Sequence, residues 1–332
     1  MITGPSPDDT IAAVATPVGE GGLAVIRISG REALACANRV FQPAGRHSTR
    51  PIDAPSHTVH YGHVVRDGHR VDEVLLTVLR APRTLTREDV VEISCHGGVV
   101  VTRQVLETVL AAGARLAQPG EFTQRAFLNG RIDLSQAEAV ADLIHARTGL
   151  AAAAALEQLE GRLSRQIGAA RDDLLNVLAH LEAHIDFPDE DIAPDTRHQL
   201  RQRLQQAADR AAHLRRSSRE GQILRRGIRA ALVGRPNAGK SSLLNLLLGH
   251  NRAIVSPIPG TTRDTVEETA DIRGIPVVFV DTAGLRHTHD AVEAEGVRRS
   301  RDAARSAELI LHVLDRSEPL SSEDELWFAE WG

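Results

Sequence analysis

From Ile11 to about Gly120 the apolar positions fall into short alternating runs, Gly22–Ser29, Thr58–Val65, Asp72–Leu79 and Val90–Ser94, separated by glycine, proline and aspartate. A period of two between turn residues predicts strands. One stretch, Val99–Ala112, has helical spacing instead. Strands with an interspersed helix predict an α+β domain with an antiparallel or mixed sheet.

After Pro119-Gly120 the spacing turns helical and stays so to about Ser218, with Leu134, Ala137, Ala141 and Ile144 on one face. Ser135 and Glu138 fit a capping box at the start of that helix. A long pattern, Leu150–Ile185, ends at Phe187-Pro188 and a second runs from about Thr196 to Ser218, which predicts a helical hairpin. At Ile228 the texture changes again. Strand Ile228–Gly234, helix Lys240–Leu248 closed by Gly249, strands Val266–Ile272 and Pro276–Asp281, a helix near Ala291–Ala307 and strand Leu309–Asp315 read as a doubly wound α/β nucleotide domain that stops partway. The expected fold class is therefore multidomain α+β and α/β, with an α+β domain over residues 1–120, an α-helical domain over 121–225 and a nucleotide domain over 226–332.

With 42% hydrophobic and 25% charged residues in 332, the chain can fill two or three cores at roughly 100–200 residues each. A formal net charge of -5 does not favour nucleic-acid or membrane-surface binding by the whole molecule, so such a partner needs a local patch. Asp195–Arg229 carries ten arginines against three acidic residues and reads either as a basic face for RNA phosphates or as a solvated helix face. The acidic stretch Asp186–Asp191 reads better as helix caps and turn residues than as a metal site. Met1–Thr10 lacks the pattern of a signal peptide, and no apolar run reaches the roughly 18 residues of a membrane span. Cys36 and Cys95 are far apart with no metal-ligand spacing, which predicts two free thiols in a reducing, cytoplasmic setting without membrane contact.

The strongest chemical signal is Gly234-Arg235-Pro236-Asn237-Ala238-Gly239-Lys240-Ser241, the eight-position phosphate loop, placed after an apolar strand and before an apolar helix. Its glycines let backbone N–H groups converge on phosphate oxygens at a helix start, Lys240 reaches the outer phosphates, and the Ser241 hydroxyl holds Mg²⁺. Lys240 is the only lysine in the chain; the other 38 basic residues are arginine. Asn237, Ala238, Gly239, Lys240, Ser241 and Ser242 are the expected nucleotide contacts of this loop. Gly260-Thr261-Thr262-Arg263-Asp264 fits a first switch, with Thr262 completing the Mg²⁺ shell, and Asp281-Thr282-Ala283-Gly284 at the end of an apolar strand fits a second. Together, in this order, they predict a GTPase of the translation-factor-like class. Leu285 stands where a Ras-like enzyme has its water-positioning glutamine, so hydrolysis needs another residue, an ion or a partner.

Across nearly its whole length the chain also resembles the MnmE (TrmE) family of bacterial tRNA modification GTPases. The resemblance rests on Ala15-Thr16-Pro17 with Gly21-Gly22, Ile26-Arg27-Ile28-Ser29-Gly30, His96-Gly97-Gly98, Pro119-Gly120-Glu121-Phe122-Thr123, Arg125-Ala126-Phe127-Leu128-Asn129-Gly130, Asp133-Leu134, Gln136-Ala137-Glu138-Ala139 and Ile185-Asp186-Phe187-Pro188-Asp189-Glu190. It also includes Gly234–Ser242, Gly260–Asp264 and Asp281–Arg286, which many GTPases share. The resemblance implies an N-terminal folate-binding-like domain that dimerises, a helical domain, and a P-loop GTPase domain inserted into the helical one. It implies a homodimer that assembles with the flavoprotein MnmG into a heterotetramer. The pair adds a carboxymethylaminomethyl-type group at C5 of the wobble uridine of certain tRNAs, with the carbon from 5-formyl- or 5,10-methylene-tetrahydrofolate.

Carried over by position, Arg27, Glu92 and Arg131 contact folate, Arg131 standing where some members have lysine. A strand-edge arginine, a half-buried glutamate and a helix-cap arginine are the bland alternatives. The family uses K⁺ with Mg²⁺, which implies Asn237, Ser256, Ile258 and Thr261 as K⁺ ligands and Ser256, Pro257, Ile258, Pro259, Gly260, Thr261 and Thr262 as a nucleotide-contacting loop. Asn237 as a simple loop cap is the alternative. Glu293 aligns with the family's catalytic glutamate, with Glu295 two residues on as the competing choice. No Asn-Lys-x-Asp motif follows Asp315, and the family's terminal Cys-x-Gly-Lys is missing too. The chain thus reads as a C-terminally truncated member with weak guanine selectivity and an exposed sheet edge. Competing readings are a ribosome- or assembly-associated GTP switch and, for the N-terminal half, an interaction scaffold without ligand.

Overall fold

The computed structural model of the protein describes residues 6, 8–45, 49–187, 197–235, 238–251, 267–280 and 301–331. The chain divides into two compact units, Met1–Ala137 and Glu138–Gly332.

In the first unit, β1 (Ile11–Val14), β2 (Ala24–Ser29), β3 (Phe41–Pro43), β4 (Thr58–Arg66), β5 (His69–Leu79), β6 (Val90–Cys95) and β7 (Arg115–Leu116) form one sheet in the order β3-β4-β5-β6-β2-β1-β7. Neighbours are antiparallel except β1 and β7, which are parallel. Successive side chains point to opposite faces of a strand, so β2 buries Ala24, Ile26 and Ile28 while Val25 and Arg27 are half-buried. Helices α1 (Ala33–Val40) and α2 (Val99–Ala111) cover the buried face, adding Leu34, Cys36, Val105 and Val109 to a core with Val74, Leu76, Val78 and Ile93. Cys36 and Cys95 are both free thiols inside this core. The opposite face carries Thr77, Glu92 and Arg27 in one row, because these three are register partners across β5, β6 and β2.

The predicted strand runs match β2, β4, β5 and β6 to within a few residues. The apolar pattern does not reveal β1, β3, β7 and α1; the three strands are too short to show a period, and α1 buries mainly alanine and cysteine, a faint apolar signal.

Helix α3 (Glu121–Leu128) is held to the first unit by ion pairs. Arg125 is almost fully buried and donates to Glu88 at 3.1 Å and Glu121 at 3.2 Å; Arg115 donates to Glu121 at 2.8 Å and Asp9 at 2.9 Å. Ser29 Oγ closes the set on Glu88 at 2.7 Å. Buried charge is costly unless paired, and here every carboxylate has a guanidinium. Residues 121–137 consequently belong to the first compact unit, although their spacing had placed them at the head of the helical domain.

Helix α4 (Leu134–His145) begins with a capping box, but two residues earlier than predicted. Gln136 N–H donates to Asp133 Oδ1 at 3.0 Å and Asp133 N–H to Gln136 Oε1 at 2.9 Å, so Asp133 and Gln136 form the box rather than Ser135 and Glu138. The apolar face read on α4 is not buried in this chain: Leu134 and Ile144 are exposed and only Ala139 is buried.

The second unit holds α5 (Gly149–Leu159), α6 (Arg162–Asp186) and α7 (Arg197–Arg226). The run predicted as one helix over Leu150–Ile185 is two, broken at Glu160-Gly161, where Gly161 has φ +79°. Next come β8 (Ile228–Val233), α8 (Lys240–Asn251, which continues through Gly249), β9 (Glu268–Ile272), β10 (Ile275–Phe279), β11 (Leu309–His312) and α9 (Ser322–Trp331). The sheet order is β11-β8-β10-β9, parallel except between β10 and β9. The last four residues of β8, Ala230–Val233, are buried on both sides, as an apolar run predicts. Ala230 and Leu232 meet Leu244 and Leu248 of α8, whereas Ala231 and Val233 face Ala304 and Trp327 on the other layer.

Candidate functional site

Strand β8 delivers the phosphate loop. At its end Gly234 has φ +140°, and a Cβ there would clash with Val313 O, so only glycine lets the chain leave the sheet this close to the residue that follows β11. Lys240 opens α8, and its ammonium folds back over the loop to donate to Gly234 O at 2.7 Å and Arg235 O at 2.6 Å. Burial holds this ammonium below the usual lysine range. Ala238, Gly239 and Ser241 are half-buried around it, and Ser242 is exposed. A helix start with a lysine and a serine hydroxyl beside it suits phosphate and a hard cation.

Arg235 anchors a cluster that the motif pattern does not reveal. Arg235 Nε donates to Asp324 Oδ2 at 2.8 Å, its Nη2 reaches the same oxygen and Pro319 O, and Nη1 donates to Glu318 at 3.0 Å. Asp324 is 1% exposed. The same oxygen accepts from Ser321 N–H and Ser321 Oγ, each at 2.9 Å, while Asp324 N–H donates to Ser321 Oγ at 3.3 Å. That is a capping box at the start of α9. The Arg235 guanidinium, and then the Ser321 amide, hold the Asp324 carboxyl well below the usual range. The available signal was Ser321-x-x-Asp324 itself, a capping pattern.

In the first unit Arg27 and Glu92 meet on the open sheet face, Nε to Oε1 at 2.8 Å, each about a quarter exposed. The Arg27 guanidinium also lies 5.6 Å from the centroid of the Phe122 ring, a cation–π contact from α3. The structure thus joins two of the three predicted folate residues and adds Phe122. Arg131 is elsewhere in its contacts, donating to Leu85 O at 2.8 Å. A half-buried charge pair beside an aromatic face fits a flat, polar-edged ligand.

Two sequence profiles match the chain. One, described as the GTP-binding protein TrmE N-terminus, covers residues 10–131, and the other, the MnmE helical domain, covers 134–324. The tRNA modification GTPase MnmE of Geobacillus thermodenitrificans is 54% identical over 325 residues, taking in 97% of this chain and 70% of the relative. The namesakes from Bacillus subtilis and Streptococcus mutans are 52% and 50% identical, with 95% of this chain and 69% of each relative covered. This chain belongs to the MnmE family.

In MnmE terms the first profile ends within the first compact unit, and the second takes in the helices, the phosphate loop and the start of α9. Asn237, Ser256, Pro257, Ile258, Pro259, Gly260, Thr261, Thr262, Asp281, Thr282, Ala283, Gly284 and Glu293 lie outside the described residues. So does most of the acidic stretch at 186–191. Among the described residues no cluster of three His, Cys, Asp or Glu side chains could hold a metal ion, and no helix is long and apolar enough to cross a membrane. Among the described side chains of α7, Arg201, Arg203, Arg210, Arg215, Arg216, Arg225 and Arg226 are exposed, with Arg210 paired to Asp173 and Arg225 to Asp142.

Proposed function

We propose that this MnmE-family chain binds and hydrolyses GTP on the loop Gly234–Ser241 and uses the cycle in tRNA modification. The observation that carries the reading is Lys240, the chain's only lysine, held by two loop carbonyls at the N-terminus of a helix fed by a buried strand. Lys240 would meet the outer phosphates and Ser241 would hold Mg²⁺, with Thr262 as its second side-chain ligand. Asn237, Ser256, Ile258 and Thr261 would hold K⁺ and Glu293 would serve as the catalytic acid or base. The metal ions supply charge neutralisation on the phosphates.

The finer reading follows the family. The first unit takes a tetrahydrofolate derivative at Arg27 and Glu92, dimerises, and works with MnmG on the wobble uridine of tRNA in the cytoplasm. The Arg27, Glu92 and Phe122 cluster supports a ligand there; a GTP switch without modification chemistry has no use for it.

Two titrations on the whole chain test this. A fluorescent non-hydrolysable GTP analogue with Mg²⁺ binds the wild type, and Lys240→Ala loses that binding at least a hundredfold. Calorimetry with 5-formyltetrahydrofolate gives heat for the wild type and none for Arg27→Ala. An unaffected Lys240→Ala variant would refute the nucleotide site, and a silent wild type in the second titration would remove the folate reading.

A further inference from the structure

We propose that Arg235 is a positioning residue for the phosphate loop, clamped from behind by Asp324, so that helix α9 is the loop's rear support. The inference rests on the nucleotide reading above and concerns what sets the loop's shape before phosphate arrives.

Arg235 acts at both ends. Its main-chain carbonyl accepts the Lys240 ammonium at 2.6 Å and the Ala238 N–H at 3.3 Å, so it fixes the start of the loop and the resting place of the charge. Its guanidinium makes four hydrogen bonds, two to Asp324, 89 residues away in sequence, and one each to Glu318 and the Pro319 carbonyl. Asp324 is buried, and its Oδ2 is shared between that guanidinium and the cap of α9. An exposed ion pair could form or break without consequence. A buried carboxylate with a second structural duty cannot release its arginine without leaving charge unpaired. A shift of α9 therefore reaches the carbonyl that holds Lys240 through one side chain. Phosphate affinity and the position of α9 are then two readings of the same contact.

The pair is tested by a double-mutant cycle on the whole chain, read as affinity for the fluorescent non-hydrolysable GTP analogue with Mg²⁺. Asp324→Asn keeps one oxygen for the cap, turns the other into an NH₂ donor and removes the charge. Arg235→Ala and Asp324→Asn should each weaken binding about tenfold, and the double variant should be no weaker than either, since coupled residues are non-additive. Arg235→Lys should recover part of the loss. Single variants that bind as the wild type does, or losses that multiply in the double, would overturn the proposal. A measurement on the wild type stands apart from any folding defect: the analogue should slow hydrogen exchange at residues 321–326 as well as at 238–242, and protection confined to the loop would also overturn it. Lys240→Ala in the same series separates the two ideas. If it binds normally, the nucleotide site itself is wrong, whatever Arg235 does.

Discussion

Glu121 shows how much one side chain can hold. Its carboxylate takes Arg115 and Arg125 together with the amide of Gln118, and the Arg115 guanidinium foremost brings its pKa down to about 2. A carboxyl depressed in the folded state stabilises fully above its unfolded pKa and loses that contribution as pH falls through its folded pKa. The window runs from roughly pH 4.5 down to 2. Glu121→Gln should cost roughly 1–3 kcal/mol at pH 7, the range for a charged partner lost from a buried bond. Urea midpoints of both proteins should differ at pH 7 and converge near pH 2; a gap constant with pH would show that packing, not charge, is responsible. None of this lattice was visible in sequence, because Asp9, Glu88, Arg115 and Arg125 meet only after the sheet has formed. Lys240 was visible, since its chemistry is fixed by neighbours within six residues.

At the scale of elements, α6 offers two glycines of opposite meaning. Gly161 caps it at φ +79°, where an alanine is strained, and Gly168 lies inside it with nothing within 4 Å of a added Cβ. Gly161→Ala should lower stability by about 1–2 kcal/mol, and Gly168→Ala should raise it by roughly 0.5–1 kcal/mol. Thermal melting of the two variants should move in opposite directions, and a common direction would mean that the break between α5 and α6 is not required. The sequence showed the helical period here but not the break, because a glycine after a glutamate interrupts no apolar spacing. The capping box of α4 slipped for a similar reason: Asp133 and Ser135 both suit a cap, and the hydrogen bonds chose Asp133. Strand β8 was legible because its buried residues, Ala230–Val233, leave an apolar run that ends at a glycine. Arg235 and Asp324 were not, being joined across 89 residues by geometry alone.

For the molecule as a whole, the succession of a seven-stranded sheet with helices, long helices and a four-stranded sheet could be read from where the apolar period changes. The seam could not, because it depends on the ion pairs that draw α3 into the first unit. The two cysteines fall on one side of that seam. Both are buried, and burial pushes both thiols up, Cys95 to about 11. The second unit has none. Thiolate is the reacting form, so a disulfide reagent at pH 8 should modify the folded protein slowly, at a rate set by opening of the first unit, and rapid labelling in buffer would contradict the packing of α1 and β6. The chain therefore carries a native clock for one half of itself. A nucleotide added to the protein can be asked, through thiol labelling alone, whether it changes the opening of the first unit.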